Sequence, residues 1–110
     1  MGKMSRSKGK RGELEWAAFL RSYGFEARRG RQHRGGPDSP DVITDCPLHF
    51  EVKRTEKLSV YPALEQAEQD AKTKEPWVPP AVAHRRNGKD WVVILSAHDF
   101  LEMVRELSSE

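Results

Sequence analysis

A chain of 110 residues is long enough for one domain with a modest core, and its 33% charged content leaves much of the surface polar. No stretch approaches the ~20 consecutive apolar residues of a membrane span, and no secretory signal is visible. The single cysteine, Cys46, excludes an intramolecular disulfide and a cysteine-rich zinc site, which favours a reducing, cytoplasmic location.

Positive charge is concentrated in the first third of the chain. Residues 1–34 hold ten Lys or Arg against three acids, whereas the remainder holds nine against fourteen. Residues 1–9 are almost without apolar side chains, which predicts a flexible basic arm before a single domain over residues 10–110. This distribution indicates a polyanionic partner, namely nucleic acid. The phosphate contacts expected here are Lys8, Lys10 and Arg11.

Apolar residues at helical spacing predict a first helix over residues 11–23, closed by Gly24. One face of this helix carries Glu13, Trp16, Ala17 and Leu20. Glu13 therefore stands at the end of an apolar stripe. It is either a partner of the helix dipole or a third active-site carboxylate. Glu15, two residues further on and on a different face, is the alternative acid.

Residues 25–31 predict an arginine-rich edge strand, and residues 32–39 a basic, glycine-rich loop. Arginine suits bidentate phosphate binding, so we expect DNA contacts here. The residues concerned are Arg28, Arg29, Arg31, Arg34 and Ser39.

Two short strands follow, at Val42-Ile43 and Phe50–Val52, and Asp45-Cys46-Pro47 predicts a tight turn that joins them as a hairpin. Alternate residues of a strand point to the same face. Glu51 and Lys53 therefore share one face, while Phe50 and Val52 point to the other.

The rest of the chain predicts one helix, a hairpin and a last helix. The helix spans residues 61–74, with Pro62 in its first turn. Strands at residues 81–83 and 91–95 flank a two-residue turn at Asn87-Gly88. Ser96 caps the last helix, whose packing face carries Phe100, Leu101, Val104 and Leu107. The predicted order is α-β-β-β-α-β-β-α.

An acid at a strand start and an acid–lysine pair on the next strand can hold a divalent metal. Mg²⁺ takes hard oxygen ligands, which Asp41, Glu51 and the Val52 carbonyl supply. Lys53 can orient a water molecule and offset charge on a phosphate, and Arg54 adds positive charge for DNA beside it. This pattern suits phosphodiester hydrolysis. The competing interpretation is a surface hairpin with an exposed ion pair.

Pro40-Asp41 with Glu51-Val52-Lys53 resembles the signature of the PD-(D/E)XK nucleases. Over residues 8–105, the chain resembles the archaeal-type Holliday junction resolvases and their phage relatives within that superfamily. The resemblance implies an α/β, restriction-endonuclease-like fold, a mixed β-sheet flanked by helices.

The resemblance also implies an activity, which is paired, symmetric, Mg²⁺-dependent nicking of four-way DNA junctions by a homodimer, with Mn²⁺ expected to substitute. Family members carry a catalytic glutamate at the position of Glu13, which favours a metal-binding role for it over Glu15. They often carry a glutamine at the position of Gln66, which can bind a metal-bound water or a phosphate. A phage-encoded origin in a bacterial host is compatible with this resemblance.

Two alternatives remain at this point. The chain can be another nuclease of the superfamily, cutting flaps or nicking, or a non-catalytic nucleic-acid-binding module that kept the fold. No organic cofactor and no membrane partner are expected in any of these cases.

Overall fold

The computed structural model describes the backbone of residues 2–30 and 42–109, and the side chains of residues 9–30 and 42–109. Three helices and five strands follow one another in the predicted order α-β-β-β-α-β-β-α. Their bounds are α1 Gly2–Ser22, β1 Ala27–Arg29, β2 Val42–Thr44, β3 His49–Arg54, α2 Val60–Lys72, β4 Pro80–Arg85, β5 Val92–Ile94 and α3 Ala97–Ser108. None of the helices in these ranges has the length and apolar composition that crossing a bilayer requires.

Helix α1 begins at Gly2, nine residues earlier than predicted. Residues 1–9 hold few apolar side chains, but Lys, Arg and Met are good helix formers and extend a helix that the apolar face has nucleated. Glu13 consequently lies far from the helix start. The dipole interpretation of Glu13 is therefore wrong, because that effect is confined to the first turn. A separately moving arm over residues 1–9 stays a prediction.

The end of α1 is a Schellman motif. The Gly24 N–H donates to the carbonyl of Arg21 at 3.0 Å, and the Phe25 N–H donates to that of Leu20 at 3.2 Å. Gly24 has φ +92°, a conformation that glycine adopts without steric cost. The predicted stop at Gly24 is confirmed, and it turns the chain into β1.

The strands form two sheets within the described residues. Strands β1 and β2 pair antiparallel, while β3 pairs parallel with β4, which pairs antiparallel with β5. The second sheet is thus mixed, as predicted. The hairpin predicted between Val42-Ile43 and Phe50–Val52 is wrong: the connection is short, but β2 pairs with β1 instead. Turn chemistry indicated where the chain bends, and the partner of each strand depends on distant segments.

The β4–β5 hairpin is confirmed with a longer loop than predicted. Ladder pairing ends at His84 and Val92. Between these residues the Lys89 N–H donates to the Arg86 carbonyl at 3.1 Å, which places Asn87 and Gly88 at the centre of the turn. Gly88 has φ +73°. Asn-Gly therefore identified the turn but not the residues that extend the loop on either side.

Apolar clusters cover both faces of the mixed sheet. On one face, α1 packs on β3 and β4, with a buried cluster of Trp16, Ala17, Leu20, Val42, Phe50, Ala81 and Ala83. On the other face, Ala63 and Ala67 of α2 pack on Val82. Small alanine side chains let α2 approach the sheet closely, which brings its polar residues beside β3.

Helix α3 differs from its predicted role. Its cap is confirmed, because the Ser96 Oγ accepts a hydrogen bond from the Asp99 N–H at 3.1 Å. The predicted packing face is not buried in the chain: no residue of this helix is buried, and Leu101 is 59% exposed and Leu107 76%. Periodicity correctly identified an apolar face, but it carries no information on which surface covers that face.

Candidate metal and nucleic-acid site

The charged face of β3 is the centre of the candidate site. Glu51 is buried, with 7% of its surface exposed, and Lys53 Nζ lies 3.7 Å from Glu51 Oε2. On the opposite face, Phe50 is buried against Trp16 with ring centroids 5.0 Å apart. The predicted alternation along β3 is confirmed. The exposed-ion-pair interpretation does not describe this pair, because its carboxylate is removed from solvent.

Helix α2 adds a glutamine to this face. Lys53 Nζ donates a hydrogen bond to Gln66 Oε1 at 3.1 Å. Gln66 is followed one residue later by Ala67, which is fully buried against the sheet and fixes the distance between helix and strand. The amide of Gln66 thus holds the ammonium group of Lys53 beside Glu51.

The same face carries a group of potential metal ligands that the sequence analysis missed. One donor atom from each of His49, Glu51 and Asp70 lies within 4.8 Å of the other two. His49 and Glu51 are two residues apart on β3, so strand alternation alone could have placed them together. Asp70 comes from α2, one turn after Gln66, and the sequence contains no local signal for its approach to β3.

Glu13 is buried in α1 and is engaged by an arginine of β1. Arg29 Nε donates to Glu13 Oε1 at 2.6 Å, and only 8% of the Glu13 surface is exposed. Arg29 was predicted to contact DNA, and its guanidinium is here bound to the acid predicted to act in the site. Glu13 is not a member of the His49–Glu51–Asp70 group.

Glu15, the alternative acid, belongs to a separate ionic network. Its Oε1 accepts from Arg54 Nε at 3.1 Å and from Arg85 Nη1 at 3.4 Å. Arg54 also donates through Nη2 to Asn87 Oδ1 at 3.0 Å. This network connects α1 and β3 with the β4–β5 loop. Arg54 is thus held within the protein, and its predicted DNA contact stays a prediction.

The remaining residues predicted to contact DNA or the metal fall into two groups, those that the structure describes and those outside the described ranges. Lys10, Arg11 and Arg28 are exposed, as phosphate binding requires. The side chain of Lys8 lies outside the described residues, as do Arg31, Arg34, Ser39 and the predicted metal ligand Asp41. The Val52 carbonyl lies on β3 between Glu51 and Lys53. Elsewhere, burial and the neighbouring Asp45 raise the pKa of the Cys46 thiol, which packs against the α1-side core.

The chain is similar to known proteins both in sequence and in structure. The family model of the archaeal Holliday junction resolvase (Hjc) matches residues 4–106. Among solved structures, the chain is similar to Archaeoglobus fulgidus Hjc, a Holliday junction resolvase from an archaeal hyperthermophile, at 24% identity and a TM-score of 0.59. That similarity covers 77% of this chain and 73% of the other. No curated protein sequence matches. The structural likeness confirms the restriction-endonuclease-like fold, and the family model confirms the resemblance drawn from the motifs.

Proposed function

Because the chain belongs to the archaeal Holliday junction resolvase family, we propose that it is a metal-dependent endonuclease that cuts four-way DNA junctions by paired symmetric nicks. The observation that carries this proposal beyond family membership is the buried Glu51 carboxylate beside Lys53 on one face of β3. An acid protected from solvent and a lysine at 3.7 Å supply a ligand and a cation for phosphodiester chemistry. Since such a substrate arises where DNA recombines, we expect the protein inside a cell. A phage origin stays a prediction.

The donor set fits a hard divalent cation. Asp41, Glu51 and the Val52 carbonyl are the residues that would hold it, with Glu13 joining directly or through water. All four donors are oxygens, as Mg²⁺ prefers, and Mn²⁺ accepts the same ligands. A bound cation would polarise the scissile phosphate and favour ionisation of a water molecule. The choice of Mg²⁺ rests on this oxygen chemistry.

Side chains of the protein position the reacting groups. Lys53 presents its ammonium group beside Glu51, where it can orient a water molecule and offset negative charge that develops on the phosphate. The hydrogen bond from Lys53 Nζ to Gln66 Oε1 at 3.1 Å limits the positions of that group. Gln66 thereby acts as a positioning residue, in addition to any contact with a phosphate or a water molecule.

DNA binding is proposed to follow the exposed basic side chains of the first third. Lys10, Arg11 and Arg28 are exposed and not engaged in any ion pair among the described residues. Contacts of this kind bind the backbone and position it without reading the base sequence. We expect Lys8, Arg31, Arg34 and Ser39 to extend this surface. Recognition would therefore depend on junction shape.

A homodimer is part of the proposal, because paired nicks on opposite strands require two active sites related by a twofold axis. Helix α3 supports it. Its apolar face is exposed, and so are Val92 and Val93 on the preceding strand β5. An exposed apolar helix face on a highly charged protein marks an interaction site. We propose that a second copy of the chain covers it.

The test is cleavage of a labelled synthetic four-way junction with Mg²⁺, beside a linear duplex of matched sequence. The wild type is expected to give paired symmetric nicks in the junction only. Asp41→Asn should abolish them. The chain holds a second Pro-Asp pair, Pro37-Asp38, which no predicted strand continues directly, and Asp38→Asn should retain most of the activity. Equal cutting of both substrates would replace the proposal with a less selective nuclease. Tight junction binding without cleavage by the wild type would leave a binding module.

A further inference from the structure

We propose that His49, Glu51 and Asp70 form a second divalent-cation site, one that takes a first-row transition metal such as Mn²⁺, Co²⁺ or Zn²⁺. Neither the PD-(D/E)XK signature nor the donor set proposed for Mg²⁺ includes His49 or Asp70. The site shares Glu51 with that donor set, yet it stands on its own geometry and does not rest on junction cleavage.

The spacing of the three donors fits a single cation. Their donor atoms lie within 4.8 Å of one another. Nitrogen and oxygen ligands bind Zn²⁺ at about 2.0–2.2 Å, so three ligands spaced evenly around one ion lie about 3.6 Å apart. A movement of each donor atom by less than about 1 Å, within existing side-chain freedom, would therefore bring all three onto one ion.

The scaffold around the three residues is rigid. His49 and Glu51 belong to β3, whose partner β4 is paired along its whole length, from His49↔Pro80 to Arg54↔Arg85. Asp70 precedes Ala71, which is fully buried and fixes this turn of α2 against the molecule. The donors thus come from two regular elements, which hold ligands with more precision than loops do.

Charge in this part of the molecule also favours a cation. Glu51 and Asp70 bring two carboxylates within 4.8 Å, and Glu51 is buried, so water screens their repulsion only weakly. Lys53 contacts Glu51 at 3.7 Å but is itself held by Gln66, one turn away from Asp70 on α2. A divalent ion between His49 and Asp70 would offset the charge at the end of the cluster that Lys53 does not reach.

The imidazole decides the metal class. Mg²⁺ strongly prefers oxygen ligands, whereas a site with one imidazole and two carboxylates suits Zn²⁺, Co²⁺ and Mn²⁺. We therefore expect this site to distinguish Mn²⁺ from Mg²⁺, although both ions fit the oxygen donors around Asp41. Metal selectivity provides a signature that a purely structural cluster of these residues would lack.

The experiment measures Mn²⁺ binding to the full metal-stripped chain without DNA, by calorimetry and by electron spin-echo modulation, which detects nitrogen bound directly to Mn²⁺. It is carried out in the Asp41→Asn background, so that the other donor set is impaired. We expect one Mn²⁺ per chain with a coordinated nitrogen. His49→Gln and Asp70→Asn should each weaken binding by roughly tenfold or more, and His49→Gln should remove the nitrogen signal.

Matched controls are available on the same chain. His98→Gln alters an exposed histidine on α3, and Glu65→Gln alters an exposed acid on α2. Both should leave the affinity and the nitrogen signal unchanged. Circular dichroism of each variant without metal verifies its folding, and the isosteric Asp70→Asn keeps the proposal testable if His49→Gln unfolds the chain.

Two results would overturn the site. One is Mn²⁺ bound without a nitrogen ligand, and the other is an affinity that the His49 and Asp70 variants leave unchanged. Either would show that the three residues do not bind one cation together. Junction cleavage is measured separately. A cleaving protein without His49-dependent Mn²⁺ binding would refute the second site alone, and His49-dependent binding without cleavage would refute only the proposed function.

Discussion

The ammonium group of Lys53 contacts two partners, the Glu51 carboxylate at 3.7 Å and the Gln66 amide oxygen at 3.1 Å. A cation held beside a developing negative charge stabilises a transition state without reorganisation. Lys53→Ala is expected to lower the single-turnover rate of junction cleavage by about 10²–10³-fold. Junction affinity should change little, because one cation contributes a small share of phosphate binding.

Lys57→Ala is the matched control for this prediction, since Lys57 is exposed and follows the same strand by a few residues. Its cleavage rate should stay close to that of the wild type. Rates are measured with enzyme in excess over a labelled junction, and affinities by gel shift with Ca²⁺ in place of Mg²⁺. An unchanged rate for Lys53→Ala would remove Lys53 from the reaction.

Glu13 and Arg29 form a largely buried ion pair, with 2.6 Å between Arg29 Nε and Glu13 Oε1. Arg29→Ala would leave the buried carboxylate without this donor, at an expected cost of about 1–3 kcal/mol in the free energy of unfolding. Arg28→Ala, on the exposed face of the same strand, should stay within about 0.5 kcal/mol of the wild type. Urea denaturation measures both.

The double variant Glu13→Gln/Arg29→Ala isolates the pair. Removing the arginine destabilises a buried neutral amide less than a buried carboxylate. The double variant should therefore be more stable than the sum of the two single effects predicts. We expect a coupling energy above about 0.5 kcal/mol. Additive effects would show that Glu13 draws its stabilisation from other neighbours, and that Arg29 remains available for DNA.

At the level of single residues, the sequence predicted which side chains share a face of a strand, but it did not predict contacts between distant segments. Strand alternation correctly placed Glu51 beside Lys53 and opposite Phe50, because a two-residue period follows from backbone geometry alone. It could not reveal that Arg29 binds Glu13 or that Asp70 approaches His49. Those contacts join segments that are distant in sequence, and only the assembled fold determines them.

Helix α1 meets β3 at a point where no side chain fits. A Cβ added to Gly12 would lie 2.7 Å from the Arg54 Cβ and 3.6 Å from Val52 Cγ1. At Gly9, three residues earlier on the same helix, an added Cβ would meet nothing within 4 Å. Alanine substitutions at the two glycines therefore distinguish the effect of close packing, present only at Gly12, from the effect of helix propensity, present at both. The close approach at Gly12 is what brings Glu13 and Glu15 to the edge of the sheet.

Alanine at these two positions should have opposite effects. Gly9→Ala is expected to raise the free energy of unfolding by about 0.5–1 kcal/mol, because alanine favours the helix. Gly12→Ala gains the same propensity but is expected to be destabilised by about 1 kcal/mol net, because overpacking costs about 1–3 kcal/mol. Urea or thermal denaturation of both variants gives the comparison. Equal stabilisation of the two would contradict the close contact with Arg54.

Among the elements, local signals succeeded, and the predicted pairing was right for the β4–β5 hairpin but wrong for β2. Gly24 ended α1 as predicted, and Ser96 capped α3, because both effects depend on the residue and its nearest neighbours. The predicted partner of β2 was wrong, because β2 pairs with β1, a strand that the hairpin pattern does not consider. The start of α1 was also wrong, because apolar periodicity does not detect a helical extension of polar residues.

At the scale of the whole molecule, the unburied face of α3 is the main feature that one chain leaves unexplained. The helix is amphipathic and capped, yet none of its residues is buried. Its apolar positions were read from the sequence as a core face. In the proposed dimer they would form the interface, since a partner copy would cover them at the same time as it supplies the second active site.

The proposed dimer predicts that one substitution on α3 changes both the oligomeric state and the product of plasmid cleavage. Leu101→Lys places a charge in the centre of the exposed apolar face, and Glu102→Lys places the same charge on the neighbouring, polar position. In analytical ultracentrifugation the wild type and Glu102→Lys should sediment with the mass of two chains, and Leu101→Lys with the mass of one. Burying an uncompensated charge at an apolar interface costs more than the interface gains.

The expected effect of Leu101→Lys on activity follows from the need for two active sites to cut a junction on both strands. A dimer bound to a cruciform plasmid nicks both strands within one encounter and linearises it, whereas single chains act independently and release a nicked circle. Leu101→Lys should therefore shift the product from linear to nicked plasmid while Glu102→Lys does not. A wild type that sediments as one chain, or a Leu101→Lys variant that still linearises the plasmid, would assign the face of α3 to a different partner.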